Sequence, residues 1–228
     1  GEPGNIDQTL AVMAALEPWK MHVAHGQFSA YGEHREGGYA SGAMRLLEYF
    51  HQQRRITMDT GCVFFGPAWM VTRDELLARR LARSMKRSLT QCAGWSVMAM
   101  EYQEHHPVNA LQWALGLELI LRCEDLSRLA LSVDFPNGGS YKAMPALMAQ
   151  LASSDRRERM LDRAHPWARE RTSLGDTSRE LSDDELVTLT RCAPARSLGL
   201  SKKGHLSPGA DGDVVIAARP WETPTMVI

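Results

Sequence analysis

The sequence predicts an α/β fold in which parallel strands alternate with helices. Strand-like and helical segments alternate through the first two thirds of the chain, a pattern typical of a parallel sheet with crossover helices. With 228 residues and 44% hydrophobic side chains, the chain is long enough to bury a substantial core. The alternation comprises four strand–helix units, which fit either a small doubly wound sheet or half of an eight-stranded barrel.

The individual elements follow from local spacing. Residues 6–16 have apolar side chains at helical spacing and end before Pro18, where a helix should stop. Residues 21–28 are short, partly apolar and compatible with a strand. The rest of the alternation consists of helices over residues 43–53, 73–89 and 108–121 and strands over residues 56–59, 93–100 and 129–134.

The pattern changes after about residue 152. Residues 153–184 are rich in Arg, Asp, Glu and Ser and predict a polar excursion with a short helix near 156–161. Ser182 and Glu185 have the capping-box spacing and predict a helix over residues 183–192. Residues 206–216 predict a turn and one strand that joins another layer. We therefore divide the chain into residues 1–198 and a C-terminal segment, 199–228.

Composition excludes several classes of function. The 26 basic and 27 acidic side chains nearly cancel, so the whole chain has no field suited to nucleic acid or an anionic membrane. The basic run over residues 79–87 fits the solvated face of a helix better than a phosphate-binding patch. The glycine pairs at 37–38 and 138–139 lack the spacing of nucleotide-binding loops.

Cysteine usage and hydropathy indicate the compartment. The four cysteines lie far apart without a CxxC pair, which argues against a zinc ribbon and a disulfide scaffold and favours a reduced, cytoplasmic protein. No apolar run approaches the roughly 20 residues that span a bilayer. The first residues, Gly1 to Asn5, have the composition of the middle of a loop, so we expect further residues upstream.

Asp134 ends an apolar strand and precedes the turn Phe135-Pro-Asn-Gly-Gly139. At the carboxyl end of a strand, a carboxylate can ligate a metal, accept a proton from a metal-bound water, or stabilise the turn or helix that follows. His22 and His25 lie on an earlier strand and should point to opposite faces, because side chains alternate along a strand. We favour His25, which is nearer the carboxyl end. Cys62 could in principle be a nucleophile, although the sequence identifies no base for it.

Several runs, in order, carry a resemblance to a known family. They are Pro3-Gly-Asn5, His22-Val-Ala-His25-Gly-Gln27-Phe28 with Tyr31-Gly32, Asp59-Thr-Gly61, the run 108–119, Asp134 with Pro136-Asn-Gly-Gly139, and the run 190–213. Together they resemble the A-type subunit of formylmethanofuran dehydrogenase and of the related formyltransferase/hydrolase complex, within the metal-dependent amidohydrolase superfamily. The last run is shared widely in that superfamily, whereas the runs at 108–119 and 134–139 are more specific.

The resemblance implies the second half of an amidohydrolase-type (β/α)8 barrel with a C-terminal return to a small β-domain. It implies zinc as cofactor and cleavage or formation of a formamide C–N bond in one-carbon metabolism. The expected partners are other subunits of such a complex and a small-molecule formyl carrier, with no nucleotide, nucleic acid or membrane. An alternative is a degenerate, non-catalytic scaffold that binds partner subunits.

The resemblance also assigns roles to residues. His25, Asp134 and His22 are the candidate metal ligands, and Asp134 is also the candidate catalytic proton acceptor. The candidate substrate-binding residues are Asn137, Gly138, Gln27 and Tyr31. The family's early His-x-His and modified lysine have no counterpart here, so the chain would be a hydrolase if an upstream half of the site is supplied. This chain has Phe135 and Ser29 where the family usually has histidines.

Overall fold

The computed structural model describes residues 4–217 and 224–227, which form a mixed α/β structure. The helices are α1 (Ile6–Ala15), α2 (Ala43–Gln52), α3 (Glu75–Ser84), α4 (Pro107–Arg122), α5 (Met144–Leu151), α6 (Ser154–Arg163), α7 (Trp167–Glu170), α8 (Asp183–Val187) and α9 (Ala193–Ser197). The strands are β1 (Met21–Val23), β2 (Tyr31–Glu33), β3 (Tyr39–Ser41), β4 (Ile56–Asp59), β5 (Gly66–Thr72), β6 (Thr90–Cys92), β7 (Trp95–Tyr102), β8 (Leu129–Ala130), β9 (Val215–Ala217) and β10 (Pro224–Val227).

A parallel sheet of order β1-β4-β8 forms the centre of the fold. Met21 pairs with Ile56 and Met58 with Leu129, which confirms three of the four parallel strands predicted. Because the strands are parallel, their carboxyl ends meet at one edge of the sheet. Arg128, just before β8, is buried and donates hydrogen bonds to the carbonyls of Phe50, Gln53 and Ile56, which fixes β8 against the start of β4.

The long helix α4 forms much of the core behind this sheet. Pro107 occupies its first turn, where a missing N–H costs nothing, and its residues from Ala110 to Leu121 are almost all buried. Gly116 permits close approach, since a Cβ there would lie 3.2 Å from Cys62 Sγ. Buried Trp113 donates its indole N–H to Gln150 Oε1 at 3.0 Å. The prediction of a buried helix is confirmed.

The fourth predicted strand forms, but the prediction that it belongs to the parallel sheet is wrong. Residues 93–100 do form a strand, β7, but it pairs antiparallel with β5 and β6 in a separate sheet of order β5-β7-β6. The helix predicted over 73–89 ends at Ser84, and β6 begins at Thr90. With three parallel strands described, the assignment to half of a barrel stays a prediction.

Two other segments are shorter than predicted. The strand expected over residues 21–28 ends at Val23, and a 3-10 turn follows at Gly26–Ser29. The strand expected over 129–134 ends at Ala130. A hairpin that the alternation did not predict joins β2 to β3 through the turn that contains Gly37 and Gly38, both with positive φ. Because both shortened strands end early, His25 and Asp134 lie on the loops that follow them.

The C-terminal third agrees with the sequence at the capping box and in the tail. Ser182 Oγ accepts from the Glu185 backbone N–H while the Glu185 side chain accepts from the Ser182 N–H. The helix continues through a π-helical turn, Thr188–Cys192, into α9. The tail strand is β9, which pairs antiparallel with β10. The division at residue 198 and the small β-domain stay predictions, and residues 218–223 lie outside the described residues.

None of the helices described combines the length and apolar character needed to cross a membrane. The four cysteines are all unpaired thiols.

Candidate functional site

A cluster of polar side chains lies at the carboxyl ends of the three parallel strands. His25 follows β1, Asp59 ends β4, and Ser132 and Asp134 follow β8. His25 contacts both carboxylates, with Nδ1 2.8 Å from Asp59 Oδ1 and Nε2 3.2 Å from Asp134 Oδ1. The imidazole therefore bridges two carboxylates that are 75 residues apart in sequence.

Asp59 organises this cluster. Its Oδ1 accepts from the His25 backbone N–H at 3.1 Å and from Ser132 Oγ at 2.8 Å, in addition to the Nδ1 contact. Its Oδ2 lies 3.0 Å from His22 Nε2. Ser132 Oγ also accepts from the Gly61 N–H at 2.9 Å. One carboxylate thus fixes the rotamer of His25 and ties the ends of all three strands together.

The pKa of Asp59 is set by two opposed effects. Burial acts to raise the pKa, but the hydrogen bonds from Ser132 and His22 and the neighbouring His25 lower it below the usual value. The lowered pKa keeps the Asp59 carboxylate ionised, so that it can accept a hydrogen bond from His25 Nδ1.

The backbone at the site adopts conformations that side chains rarely take. His25 and Asp134 both have left-handed φ values, 52° and 43°. The turn after Asp134 is closed by a 2.7 Å hydrogen bond from the Gly138 N–H to the Asp134 carbonyl. A Cβ at Gly138 would lie 2.2 Å from the Val133 carbonyl oxygen, so this turn requires glycine. With these backbone conformations, the side chains of His25 and Asp134 meet at 3.2 Å.

The four predicted substrate-binding residues have different surroundings. Gln27 is fully buried and donates to the Gly61 carbonyl, and its Oε1 has no hydrogen-bond partner among the described residues. Asn137 Oδ1 accepts from the Val71 N–H at 2.7 Å, which attaches β5 to the loop after Asp134. Tyr31 borders a cavity of about 500 Å³, and burial raises the pKa of its phenol. Gly138 closes the turn described above. Substrate binding by these residues stays a prediction.

His22 and His25, which the sequence places on opposite faces, both reach Asp59, because β1 ends at Val23 and the chain then turns. The Nδ1 of His22 contacts Thr57 Oγ1 at 2.8 Å and its Nε2 contacts Asp59. The Asp134 carboxylate contacts the imidazole of His25.

The described residues do not complete a zinc site. A catalytic zinc takes three protein ligands, and no group of three or more His, Cys, Asp or Glu side chains in residues 4–217 and 224–227 has an arrangement that could hold a metal. Both ring nitrogens of His25 and both of His22 face oxygen atoms of neighbouring side chains. The two candidate ligands that converge are His25 and Asp134.

Three further residues were not assigned a role from the sequence. Asp59 and Ser132 join the cluster through contacts that span 34 and 73 residues. Burial and the charge of Asp134 raise the pKa of Tyr102 to about 12, so this phenol keeps its proton near the site. Burial also raises the pKa of the Cys62 thiol to about 12, which opposes the role of nucleophile.

Parallel strands with a histidine–carboxylate cluster at their carboxyl ends define an α/β protein whose site lies where such folds bind ligands. No protein-family profile matches the chain. It is 34% identical over 226 residues to the FhcA subunit of the formyltransferase/hydrolase complex of Methylorubrum extorquens, which covers 95% of this chain and 41% of that protein. It is 30% identical to protein FwdA of Methanocaldococcus jannaschii, with 96% and 41% covered.

A solved structure agrees with these relatives. The crystal structure of the formyltransferase/hydrolase complex FhcABCD from Methylorubrum extorquens with methylofuran matches with a TM-score of 0.91 and 32% identity. The match covers 100% of this chain and 44% of that one. The chain spans about two fifths of the length of the curated relatives it matches. The chain is thus similar to FhcA and FwdA and aligns with a C-terminal portion of those proteins.

Proposed function

We propose that this chain supplies part of a hydrolytic site that cleaves the formamide C–N bond of a formylated carrier. The observation that carries the proposal is the position of His25, whose Nε2 lies 3.2 Å from Asp134 while its Nδ1 is held by Asp59. The relative named for a formyltransferase/hydrolase complex, and the methylofuran in the matching structure, support formyl chemistry on a furan-type carrier.

Each residue of the cluster has a role in this proposal. Water adds to the formyl carbon, the C–N bond breaks, and formate and an amine are released. Asp134 accepts the proton of the attacking water and returns it to the departing nitrogen. His25 orients the Asp134 carboxylate, and Asp59 and Ser132 hold His25 in place. The phenol of Tyr102 stays protonated at neutral pH, so it places no second negative charge near Asp134.

Zinc is also part of the proposal, as a cofactor that would take His25 and Asp134 as two ligands and a third from residues other than those described. The partners proposed are other subunits of a formyltransferase/hydrolase-type complex, as in the matching structure. The four free thiols favour a reducing compartment, the cytoplasm.

The alternative is a non-catalytic scaffold that binds partner subunits. Two residues favour it, because Phe135 and Ser29 occupy positions where the family usually has histidines. The Phe135 side chain is 61% exposed and stacks edge-on against Tyr141. An exposed apolar side chain directly after Asp134 suits contact with another chain better than proton transfer.

Replacing Asp134 with Asn tests the hydrolytic proposal. The change keeps the size of the side chain and removes the proton acceptor, so release of formate from formylated methylofuran should fall by about 10²- to 10⁴-fold. Formate release and metal content, by mass spectrometry, are measured on the protein assembled with its partner subunits. The matched control is Asp162→Asn, at a 67% exposed carboxylate on α6 that pairs with Arg169.

Equal formate release from Asp134→Asn and Asp162→Asn would sink the hydrolytic proposal. No hydrolysis by the wild type, in an assembly that still forms, would establish the scaffold alternative. A loss of metal in Asp134→Asn alone supports zinc, whereas zero metal in the wild type removes zinc from the proposal.

A further inference from the structure

His22 lies in the same row of side chains as Asp59. Parallel pairing places His22 of β1 beside Thr57 of β4, and Asp59 follows two residues further along β4. Because alternate residues of a strand share a face, Thr57 and Asp59 lie on one side of the sheet. The His22 imidazole contacts both of them, with Nδ1 2.8 Å from Thr57 Oγ1 and Nε2 3.0 Å from Asp59 Oδ2. The pairing of the two strands therefore brings His22 to the carboxylate that contacts His25.

The two oxygens of the Asp59 carboxylate have different partners. Oδ1 accepts hydrogen bonds from the His25 backbone N–H, from His25 Nδ1 and from the Ser132 hydroxyl. Oδ2 contacts His22 Nε2, which is its one hydrogen-bond partner within residues 4–217 and 224–227. Hydrogen bonds to an sp² oxygen are best near the plane of its group, and contacts at both oxygens fix that plane where contacts at one do not. His22 thus supplies the second point of attachment for the group that orients the His25 ring.

The charge of Asp59 determines which ring nitrogen of His22 holds a proton. An ionised carboxylate has no proton to donate, so the contact with Asp59 requires the proton on His22 Nε2. In the neutral ring, Nδ1 then has a lone pair that accepts from the Thr57 hydroxyl. Both nitrogens of His22 are engaged with oxygens of the protein. In this arrangement neither nitrogen presents a free lone pair to a metal ion.

We propose that His22 is a positioning residue, which fixes the Asp59 carboxylate through Oδ2 and thereby orients His25 towards Asp134. In this proposal His22 is not the metal ligand that the resemblance implies. It touches none of the reacting atoms and acts only through Asp59. The inference rests on the proposed function for the reaction that it serves, whereas the arrangement itself rests on the contacts of the sheet.

The shared carboxylate distinguishes this pair from an ordinary surface contact. An exposed ion pair by itself contributes little to stability. The Asp59 side chain is 14% exposed, so little water is available to replace His22 as the partner of Oδ2. Loss of His22 therefore acts on the hydrogen bond between Asp59 and His25 as well as on its own.

His22→Gln and His22→Met test the hydrogen bond by rescue. Glutamine keeps an N–H donor at a reach similar to that of the imidazole Nε2, whereas methionine is apolar and has no donor. On the protein assembled with its partner subunits, His22→Met should lower kcat for formate release by about tenfold or more and leave KM nearly unchanged, because the carrier still binds. His22→Gln should recover most of the wild-type kcat and keep the metal content of the wild type.

The matched control is His105→Met. His105 Nε2 lies 3.6 Å from Glu104 Oε1, so this residue is also a histidine beside a carboxylate, but its side chain is 78% exposed and lies outside the cluster. The control should release formate as the wild type does. Equal losses in His22→Met and His105→Met would overturn the proposal. So would a His22→Gln variant that loses both metal and activity, because that is the behaviour of a metal ligand.

NMR of the full chain gives a second measurement, which does not depend on hydrolysis. Histidine is labelled with a heavy nitrogen isotope, and the ring signals are assigned from those that disappear in His22→Gln and His25→Gln. A proton should be found on Nε2 of His22 and on Nδ1 of His25. In His22→Met the His25 signals should shift or broaden, and in His22→Gln they should return to their wild-type positions. An unprotonated His22 Nε2, or His25 signals that His22→Met leaves unchanged, would refute the positioning role.

The two measurements separate this inference from the proposed function. A wild type that releases no formate, with the NMR results as expected, would end the hydrolytic proposal and leave the positioning of His25 by His22 supported. Formate release with His25 signals that ignore His22→Met would do the reverse.

Discussion

At the scale of single residues, Gly61 shows how closely the backbone approaches the site. Its φ is +56°, and a Cβ there would lie 2.5 Å from His25 Nδ1, the atom that contacts Asp59. Gly61 also donates its N–H to Ser132. The residue after Thr60 therefore has to lack a side chain for the histidine to reach its carboxylate.

Replacing Gly61 with Ala should lower the free energy of unfolding by about 1–2 kcal/mol through the left-handed backbone alone, and displace His25 as well. Urea denaturation measures the stability, and formate release measures the effect on the site. Gly212→Ala is the matched control, since a Cβ there meets open space. Equal stability of the two variants would contradict this account of Gly61.

The candidate site was predicted from the sequence in part. His25 was identified as the histidine nearer the carboxyl end of its predicted strand and Asp134 as the last residue of its own, and the structure brings them to 3.2 Å. Asp59 also ends an apolar strand, so the same reasoning could have included it. Ser132 could not be identified, since a serine carries no signal without its partner Asp59, which lies 73 residues away.

At the scale of elements, the start of α8 combines two reciprocal hydrogen bonds. Replacing Ser182 with Ala removes the acceptor for the Glu185 N–H and should cost about 0.5–2 kcal/mol of stability. Thermal and urea unfolding both report this loss. Ser207→Ala, at an exposed serine of the tail, is the matched control and should stay within about 0.5 kcal/mol of wild type.

Glu185 should also make stability depend on pH. Burial acts to raise its pKa, but the Ser182 N–H and the Arg179 guanidinium lower the pKa below its usual value. A lowered pKa in the folded state means that the stabilisation is present above the unfolded value of about 4.3 and is lost as the pH falls through the folded value. The difference in unfolding free energy between wild type and Glu185→Gln should therefore shrink on acidification. A difference that stays constant from pH 7 to acid would contradict this.

Helices were easier to predict than strands. Apolar residues at helical spacing located α1, α2 and α4 to within a few residues, because each pattern runs over several turns. Strand β5 was not predicted, since Pro67 lies inside it and proline normally argues against a strand. The hairpin of β2 and β3 has strands of three residues each, too short for an alternating pattern to be recognised.

At the scale of the whole molecule, the sequence indicated the fold class but not the sheet to which each strand belongs. The apolar residues of β7 predicted a strand, but its pairing with β5 depends on a strand that was not predicted. Register and direction come from contacts between segments, which a single segment does not encode. Family resemblance supplied the site residues that local patterns left open.

The left-handed backbones of His25 and Asp134 have a consequence for laboratory evolution. A residue other than glycine in that conformation costs of order 1–3 kcal/mol, so both positions hold their imidazole and carboxylate at the expense of thermal tolerance. A library screened for heat resistance alone should enrich glycine at these two positions, and the heat-resistant clones would lose the carboxylate and the imidazole. Conversely, where a lineage keeps His25 and Asp134 despite this cost, their side chains are under selection for something other than folding.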